Sequence, residues 1–215
     1  MTELPILYSF RRCPYAMRAR LAILSSGVSV ELREIVLRDK APEFLAVSPS
    51  KTVPCLVESG TNVIDESFDI MLWALEQRDP EGWLTPEEGT LEDMVALANA
   101  LDGDFKRHLD RYKYDTRHPD ASREGEREAA SSILRDIEQR LTRSPWLFGS
   151  RASLADYAFL PFLRQFANVD RQWFDGEPWP NLRRRLSDFE ASVRFQSIMA
   201  KLPKWQSGDT VLVFP

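Results

Sequence analysis

The residue best suited to chemistry is Cys13, which opens a predicted helix directly after Arg11 and Arg12. A thiol reacts as its thiolate, and a helix N-terminus with two adjacent arginines favours that charged form. Ala16 occupies the position at which a Cys-x-x-Cys protein keeps its second thiol. Cys13 would therefore need an external thiol to complete a redox cycle. The alternative role is a small buried hydrophobic side chain, but a Cys-Pro pair after two arginines is poor core material.

Two other segments could take part in binding, and each also has an ordinary structural explanation. A cis bond between Val53 and Pro54 would expose the backbone of Val53 to an extended peptide, whereas a trans turn is the commoner alternative. Cys55 follows inside a predicted strand, where packing is its expected role, although it could still approach the first thiol. Ser67 and backbone N–H groups at a predicted helix start can bind a carboxylate while Glu66 binds an ammonium group, with simple helix capping as the alternative.

The first 77 residues predict a small mixed sheet with helices packed on it. Apolar runs at 6–9 and 28–32 predict two strands, and between them Pro14 opens a helix that ends at Gly27. This strand–helix–strand order is typical of a parallel crossover unit. The segments that follow predict a short helix at 42–47, strands at 55–57 and 63–64 joined by a hairpin at Ser59-Gly60, and a third helix around 70–75.

The rest of the chain predicts a second, all-helical region. Residues 78–90 are rich in Pro, Gly and Glu and predict a linker. Ser153 and Asp156 form a candidate capping box, in which each side chain bonds the backbone N–H of the other residue. Apolar residues at helical spacing predict helices over 91–114, from Ser122 to about 141, from Ser153 onward, over 181–191 and over 195–202.

Composition narrows the functional classes. The net charge of −5 argues against non-specific binding of nucleic acid or of anionic membranes, both of which favour a cationic surface. No apolar run approaches the roughly 20 residues of a membrane helix, and the first five residues do not resemble a secretory signal. With two His and two Cys, neither a metal site nor a disulfide framework is expected, and a reducing cytoplasm is the expected compartment.

Together these segments resemble the glutathione transferase family, in particular its cysteine-type, omega-like class. The resemblance implies an α+β fold, with a thioredoxin-like domain over 1–77 (a βαβ-ββα mixed sheet), a linker over 78–90 and an all-α helical-bundle domain over 91–215. Order and spacing match over essentially the whole chain, and the shared motifs are Cys13-Pro14-Tyr15-Ala16, Lys40, Val53-Pro54, Glu66-Ser67 and the Ser153-x-x-Asp156 capping box.

The resemblance also implies how glutathione, the expected co-substrate, would bind. Cys13 would face its sulfur, and the backbone of Val53 beside a cis proline would pair with its cysteinyl unit. Ser67 would bind the γ-glutamyl carboxylate and Glu66 the amino group. Lys40 would approach the glycyl carboxylate, so that the charges of the site complement the ligand from end to end.

The second substrate, a small electrophile or disulfide, is expected between the two domains, where pockets commonly form. The resemblance further implies a two-fold homodimer. Aromatic side chains suit the wall of such a pocket, although most of the candidates could equally be core: they are Tyr15, Phe105, His108, Tyr112, Phe166 and Trp173.

Three functions compete on this reading. In a thiol transferase or reductase, the Cys13 thiolate forms a mixed disulfide that a second glutathione resolves. In a conjugating transferase, the enzyme stabilises the glutathione thiolate and Cys13 is dispensable. A non-catalytic interaction module is expected to lose the reactive thiol or parts of the tripeptide site, and this chain keeps both.

Overall fold

The structure is a computed structural model, and it describes residues 4–58 and 62–215. The chain forms two compact units. The first, here called the sheet unit, contains Met1–Glu81 and Ala191–Pro215, and the second, called the helical unit, contains Gly82–Glu190. The predicted turn at Ser59-Gly60 lies outside the described residues.

Among its described residues, the sheet unit contains five strands in the order β4-β3-β1-β2-β5. Of these described strands, β1 and β2 run parallel, as a crossover unit requires, and the other neighbouring pairs are antiparallel. The register places Ser9 opposite Glu34 and Tyr8 opposite Cys55. The strands are β1 (Ile6–Ser9), β2 (Val30–Glu34), β3 (Cys55–Val57), β4 (Val63–Ile64) and β5 (Val213–Phe214).

Helices make up most of the remaining described residues. Proline begins α1 and α2, where its missing N–H costs nothing, and Gly27 ends α1 at φ 69° with its N–H on the Ile23 carbonyl. The helices are α1 (Pro14–Ser26), α2 (Pro42–Val47), α3 (Ser67–Gln77), α4 (Leu91–Ala100), α5 (Lys106–Lys113), α6 (Arg123–Leu141), α7 (Leu154–Ala167), α8 (Arg171–Gly176), α9 (Pro180–Ala191) and α10 (Val193–Ile198).

The predicted order of strands and helices over the first 77 residues is confirmed, but the end of the chain differs from the prediction. Residues 191–215 were expected in the helical domain, whereas the structure places them in the sheet unit. There β5 covers the outer edge of β2, and the Trp205 N–H donates to the Glu34 carbonyl at 2.9 Å. An exposed strand edge offers unpaired backbone groups, and the apolar run that ends the chain pairs with them.

The helical unit departs from the prediction at two further places. The helix expected over 91–114 is divided into α4, a π-helical segment at Leu101–Phe105, and α5. Part of the expected linker belongs to the unit: Trp83 is buried, stacks on the Tyr157 ring at 4.0 Å, and accepts the Leu154 N–H at its carbonyl. The large apolar side chain of Trp83 explains why this part of the segment 78–90, although rich in Pro and Gly, packs into the helical unit.

The predicted capping box at the start of α7 is present. The Asp156 carboxylate accepts the Ser153 N–H at 2.8 Å and the Ser153 hydroxyl at 2.7 Å, and it also accepts the Leu147 N–H at 3.0 Å. Burial raises the pKa of Asp156, while these hydrogen bonds to the charged form partly offset that increase. Asp156 therefore joins the loop before α7 to the helix itself.

Candidate functional site

Cys13 lies at the N-terminal end of α1, as its residue type and the following proline predict. It is the N-cap residue, with extended backbone at φ −75° and ψ 122°, and its N–H donates to the Phe10 carbonyl at 3.0 Å. Its thiol donates to the Val53 carbonyl at 3.5 Å and is partly exposed. The structure thus brings together two of the predicted site residues, which lie 40 positions apart in the chain.

The sequence places two arginines directly before Cys13, and the structure adds a third arginine, Arg20, close to the same turn. The Arg11 guanidinium donates to the Met199 carbonyl at 3.3 Å, and Arg12 is exposed. Arg20, one of the largest fully buried side chains, donates from Nη2 to the Arg11 carbonyl at 2.9 Å. Burial lowers the pKa of Arg20 to about 10, and its attraction to Glu34 and to Cys13 partly offsets that loss. Sequence reasoning missed Arg20, whose only signal was that it lies with Arg18 in a largely apolar stretch of α1.

The second thiol has a different environment. Cys55 is fully buried on β3, in a core cluster that also contains Tyr8, Phe44 and Val53, and Cys13 packs against this cluster. Burial raises the pKa of Cys55 to about 12, with the nearby Asp65 carboxylate as the next cause. Cys55 therefore keeps its proton at neutral pH.

Tyr8 belongs to this cluster but is unsuited to activating a thiol. It is 2% exposed and its hydroxyl accepts the Arg33 guanidinium at 2.8 Å. Burial raises its pKa, although Arg33 opposes the shift. The hydroxyl thus has a partner within the core.

The loop before β3 presents the backbone of Val53. The Val53-Pro54 peptide bond is cis, and Lys51 just before it has a positive φ of 57°. The Lys40 ammonium donates to the Lys51 carbonyl at 2.8 Å, so Lys40 lies against this loop. Lys40, predicted to bind a carboxylate of the ligand, therefore lies next to the loop that carries Val53, whose backbone is predicted to pair with the ligand.

Asp65 also holds this loop, a contact that sequence reasoning missed. Its two oxygens accept the Ser48 hydroxyl at 3.0 Å and the Ser50 N–H at 2.8 Å. The Ser48 oxygen in turn accepts the Lys51 N–H at 3.0 Å. The only sequence signal was an acidic residue directly before Glu66.

Ser67 begins α3 and is backed by a buried cation. Its hydroxyl accepts Nε of Arg18 at 2.9 Å, and both residues are 2% exposed. The Arg18 guanidinium also lies over the rings of Tyr15 and Phe68, at 5.1 and 5.6 Å from their centroids. Glu66 is the extended N-cap residue of the same helix and is exposed. A hydroxyl at a helix start with a guanidinium behind it attracts anions.

Three of the predicted pocket aromatics lie in the core of the helical unit. Phe105, Tyr112 and Phe166 are at most 1% exposed, with the ring centroid of Phe166 5.8 Å from Phe105 and 5.5 Å from Tyr112. Trp173 is partly exposed and packs edge-on against Phe166 at 5.9 Å. These four residues form one cluster, and a part in substrate binding stays a prediction.

The other two pocket candidates lie outside that cluster. Nδ1 of His108 is 2.5 Å from Oε2 of Glu126, and the other oxygen of Glu126 accepts Arg111 at 2.6 Å. Tyr15 belongs to the sheet unit, beneath the Arg18 guanidinium.

Within 4–58 and 62–215, no group of three or more His, Cys, Asp or Glu side chains could hold a metal ion. Over the same ranges, every helix is too short or too polar to cross a membrane.

Comparison with known proteins matches both halves of the chain to one family. Residues 7–83 match the family model for the glutathione S-transferase N-terminal domain, and residues 120–184 match that for the glutathione S-transferase C-terminal domain. Glutathione S-transferase U19 of Arabidopsis thaliana is 28% identical over 173 residues, which are 77% of this chain and 75% of the relative. Glutathione S-transferase omega-1 of Sus scrofa is 27% identical over 166 residues, 76% of this chain and 68% of the relative.

Solved structures agree on the fold. A glutathione transferase family member from Pseudomonas fluorescens pf-5, crystallised with two glutathione bound, superposes with a TM-score of 0.76 at 20% identity, covering 92% of each chain. This likeness confirms the expected fold, a mixed α/β domain followed by a helical domain. Since the two family models together match more than half of the residues, the chain belongs to the glutathione transferase family.

Proposed function

We propose that this protein is a glutathione-dependent thiol transferase or reductase of omega-like type, with Cys13 as its working thiol. The main observation that supports this proposal is the position of Cys13, whose partly exposed thiol lies at the start of α1 and 3.5 Å from the Val53 carbonyl. A thiol at a helix N-terminus is stabilised as its thiolate. Cys55, buried and protonated, offers no competing nucleophile.

In the proposed binding mode, glutathione lies along the backbone of Val53, with its sulfur facing Cys13. Its γ-glutamyl carboxylate binds Ser67, where the buried Arg18 guanidinium adds a favourable charge. Glu66, exposed beside Ser67, binds the amino group, and Lys40 binds the glycyl carboxylate. Lys40 is held near this edge by its hydrogen bond to the Lys51 carbonyl.

The proposed reaction has two exchange steps. The Cys13 thiolate attacks the glutathione sulfur of a glutathionylated substrate, so that a Cys13–glutathione disulfide forms and the substrate leaves as a thiolate that takes up a proton. The thiolate of a second glutathione then attacks this mixed disulfide, which releases glutathione disulfide and regenerates the Cys13 thiolate. Ala16 stands where an internal resolving thiol would be, so an external thiol, here the second glutathione, must resolve the mixed disulfide.

Replacing Cys13 tests this proposal. Cys13→Ser is expected to lose reductase turnover on a glutathionylated peptide, down to the uncatalysed rate, because a serine hydroxyl does not exchange with disulfides. Conjugation of glutathione to a small electrophile is measured on the same samples. Reductase turnover that survives in Cys13→Ser would overturn the proposal, and conjugation that rises in it would favour a conjugating transferase.

Calorimetric titration with glutathione separates both enzymatic functions from a non-catalytic interaction module. Binding to the wild-type chain is expected, because the chain keeps the thiol and every residue predicted to contact the tripeptide. An absence of binding would favour the module. The proposal further includes a homodimer located in the cytoplasm, and light scattering of the purified protein tests the oligomeric state.

A further inference from the structure

Two oppositely charged side chains are buried near the turn Phe10–Cys13, here called the Cys13 turn. Glu34 ends β2 opposite Ser9 of β1, and Arg20 extends from α1. Glu34 is 8% exposed and Arg20 is 1% exposed. Charged groups at such depth are rare, and a buried ion pair adds little net stability compared with apolar packing. Their presence therefore calls for another explanation.

Both groups hold the backbone of Arg11, two residues before the thiol. Oε1 of Glu34 accepts the Arg11 N–H at 2.8 Å, and Nη2 of Arg20 donates to the Arg11 carbonyl at 2.9 Å. The turn is closed by the bond from the Cys13 N–H to the Phe10 carbonyl. Both backbone polar groups of Arg11 are thus held by a buried charge, which fixes the path of the chain into α1.

The two charges are only loosely paired with each other. Nη1 of Arg20 and Oε2 of Glu34 are 3.9 Å apart, beyond hydrogen-bond distance. Nε of Arg20 and Oε2 of Glu34 are also buried without a hydrogen-bond partner among the described residues. The charges of Arg20 and Glu34 are therefore not fully satisfied by each other, and both can act on nearby groups. The charged groups that act on Arg20 are Glu34, Cys13 and Arg11, and those that act on Glu34 are Arg11 and Arg20.

We propose that Arg20 and Glu34 are positioning residues that fix the Cys13 turn and set the charge balance at its thiol, Arg20 favouring the thiolate and Glu34 opposing it. This inference rests on the proposed function, in which Cys13 is the working thiol. The opposing effects of Arg20 and Glu34 have a chemical use. A thiolate that is stabilised too strongly becomes a weaker nucleophile, and a thiol exchanges best when its pKa is near the ambient pH.

The test measures the rate at which iodoacetamide alkylates Cys13 as a function of pH, with the Cys13 and Cys55 peptides resolved by mass spectrometry. Glu34→Gln keeps an oxygen that can accept the Arg11 N–H but removes the negative charge. Its alkylation midpoint is expected to fall by about 1 pH unit. Adding Arg20→Met to Glu34→Gln removes the cation without leaving a buried unpaired carboxylate, and the midpoint is then expected to rise by about 1 unit relative to Glu34→Gln.

Glu31→Gln is the matched control, because Glu31 lies on the same strand but pairs with Arg33 at 2.7 Å. Its alkylation midpoint is expected to equal that of the wild type. Glu34→Leu removes the acceptor for the Arg11 N–H as well as the charge. Its turnover is expected to fall about tenfold or more below that of Glu34→Gln, because the turn loses one of its anchors.

Unchanged midpoints in both Glu34→Gln and the double variant would overturn the charge role, and equal turnover in Glu34→Gln and Glu34→Leu would overturn the positioning role. Thermal melts by circular dichroism identify any variant that fails to fold, and the Glu34→Gln result stands without the others. The alkylation midpoints require no substrate, so the outcome of the charge test differs from a failure of the proposed function, which appears as reductase turnover retained in Cys13→Ser.

Discussion

The two thiols of this chain contact the same core cluster yet have opposite chemical environments. Cys13 lies at the start of α1, partly exposed, with its thiol on the Val53 carbonyl. Cys55 lies inside β3, fully buried, with the Asp65 carboxylate nearby. The first is next to a helix N-terminus and a buried guanidinium, both of which favour a thiolate, and the second is next to an acidic group that disfavours one. The two thiols are therefore expected to differ in reactivity.

The largest expected effect of this difference is in alkylation of the folded protein at pH 8. With a pKa of about 12, Cys55 has about one thiolate per 10⁴ thiols at that pH. Iodoacetamide is therefore expected to modify Cys13 at least about 10³-fold faster than Cys55, as measured by mass spectrometry of the two peptides. In urea, where burial is lost, the two rates are expected to become similar. Comparable rates in the folded protein would remove the distinction between the two thiols.

Asp65 offers a second way to examine the comparison, because it acts on both the Cys55 thiol and the loop that carries Val53. Asp65→Asn removes the charge and one of the two acceptor oxygens, so the side chain can no longer accept both the Ser50 N–H and the Ser48 hydroxyl. Under the proposed function, the KM for glutathione is expected to rise about tenfold with little change in kcat, because the Val53 edge is less well positioned.

Asp69→Asn is the control for that experiment, since Asp69 is an exposed acid in the first turn of α3, which begins two residues after Asp65. Its KM for glutathione is expected to stay at the wild-type value. A KM in Asp65→Asn equal to that of the control would show that the loop keeps its conformation without the carboxylate.

Much of the Cys13 region could be predicted from local patterns. Strand alternation, the proline after Cys13 and the glycine at the end of α1 each depend on neighbouring residues, and the structure confirms β1, α1 and β2. The capping box at Ser153 and Asp156 is local for the same reason. Each of these features involves residues only a few positions apart, so the local sequence is enough to predict it.

The supporting contacts could not be predicted in this way, because they join distant elements. Arg20 and Glu34 meet across α1 and β2, and the return of β5 to the sheet depends on residues about 180 positions away. One signal was available: Val30, Leu32 and Glu34 share the face of β2 that is buried. A carboxylate at an apolar position of a strand indicates a buried partner, although it does not identify that partner.

The smallest expected effect concerns stability and its dependence on pH. Near pH 7, Cys55→Ala is expected to lower the free energy of unfolding by about 1 kcal/mol through lost packing, with no change in turnover. The unfolded thiol has an ordinary pKa of 9.0, whereas the folded thiol has one of about 12. Below pH 9 both states keep the proton, and above it the unfolded state releases the proton first, so wild-type stability falls until about pH 12.

Urea unfolding at several pH values, in the presence of a phosphine reductant, measures this effect. By pH 10 the wild type is expected to lose about 1.4 kcal/mol relative to Cys55→Ala, because one pH unit above the unfolded pKa corresponds to that free energy. Lysine and tyrosine also titrate in this range, but they are present in both proteins and their contributions cancel in the difference. The stability advantage of the wild type should thus vanish near pH 10. A difference that stays constant from pH 7 to pH 10 would mean that Cys55 ionises as readily in the folded chain as in the unfolded one, and that the two thiols differ less than their burial indicates.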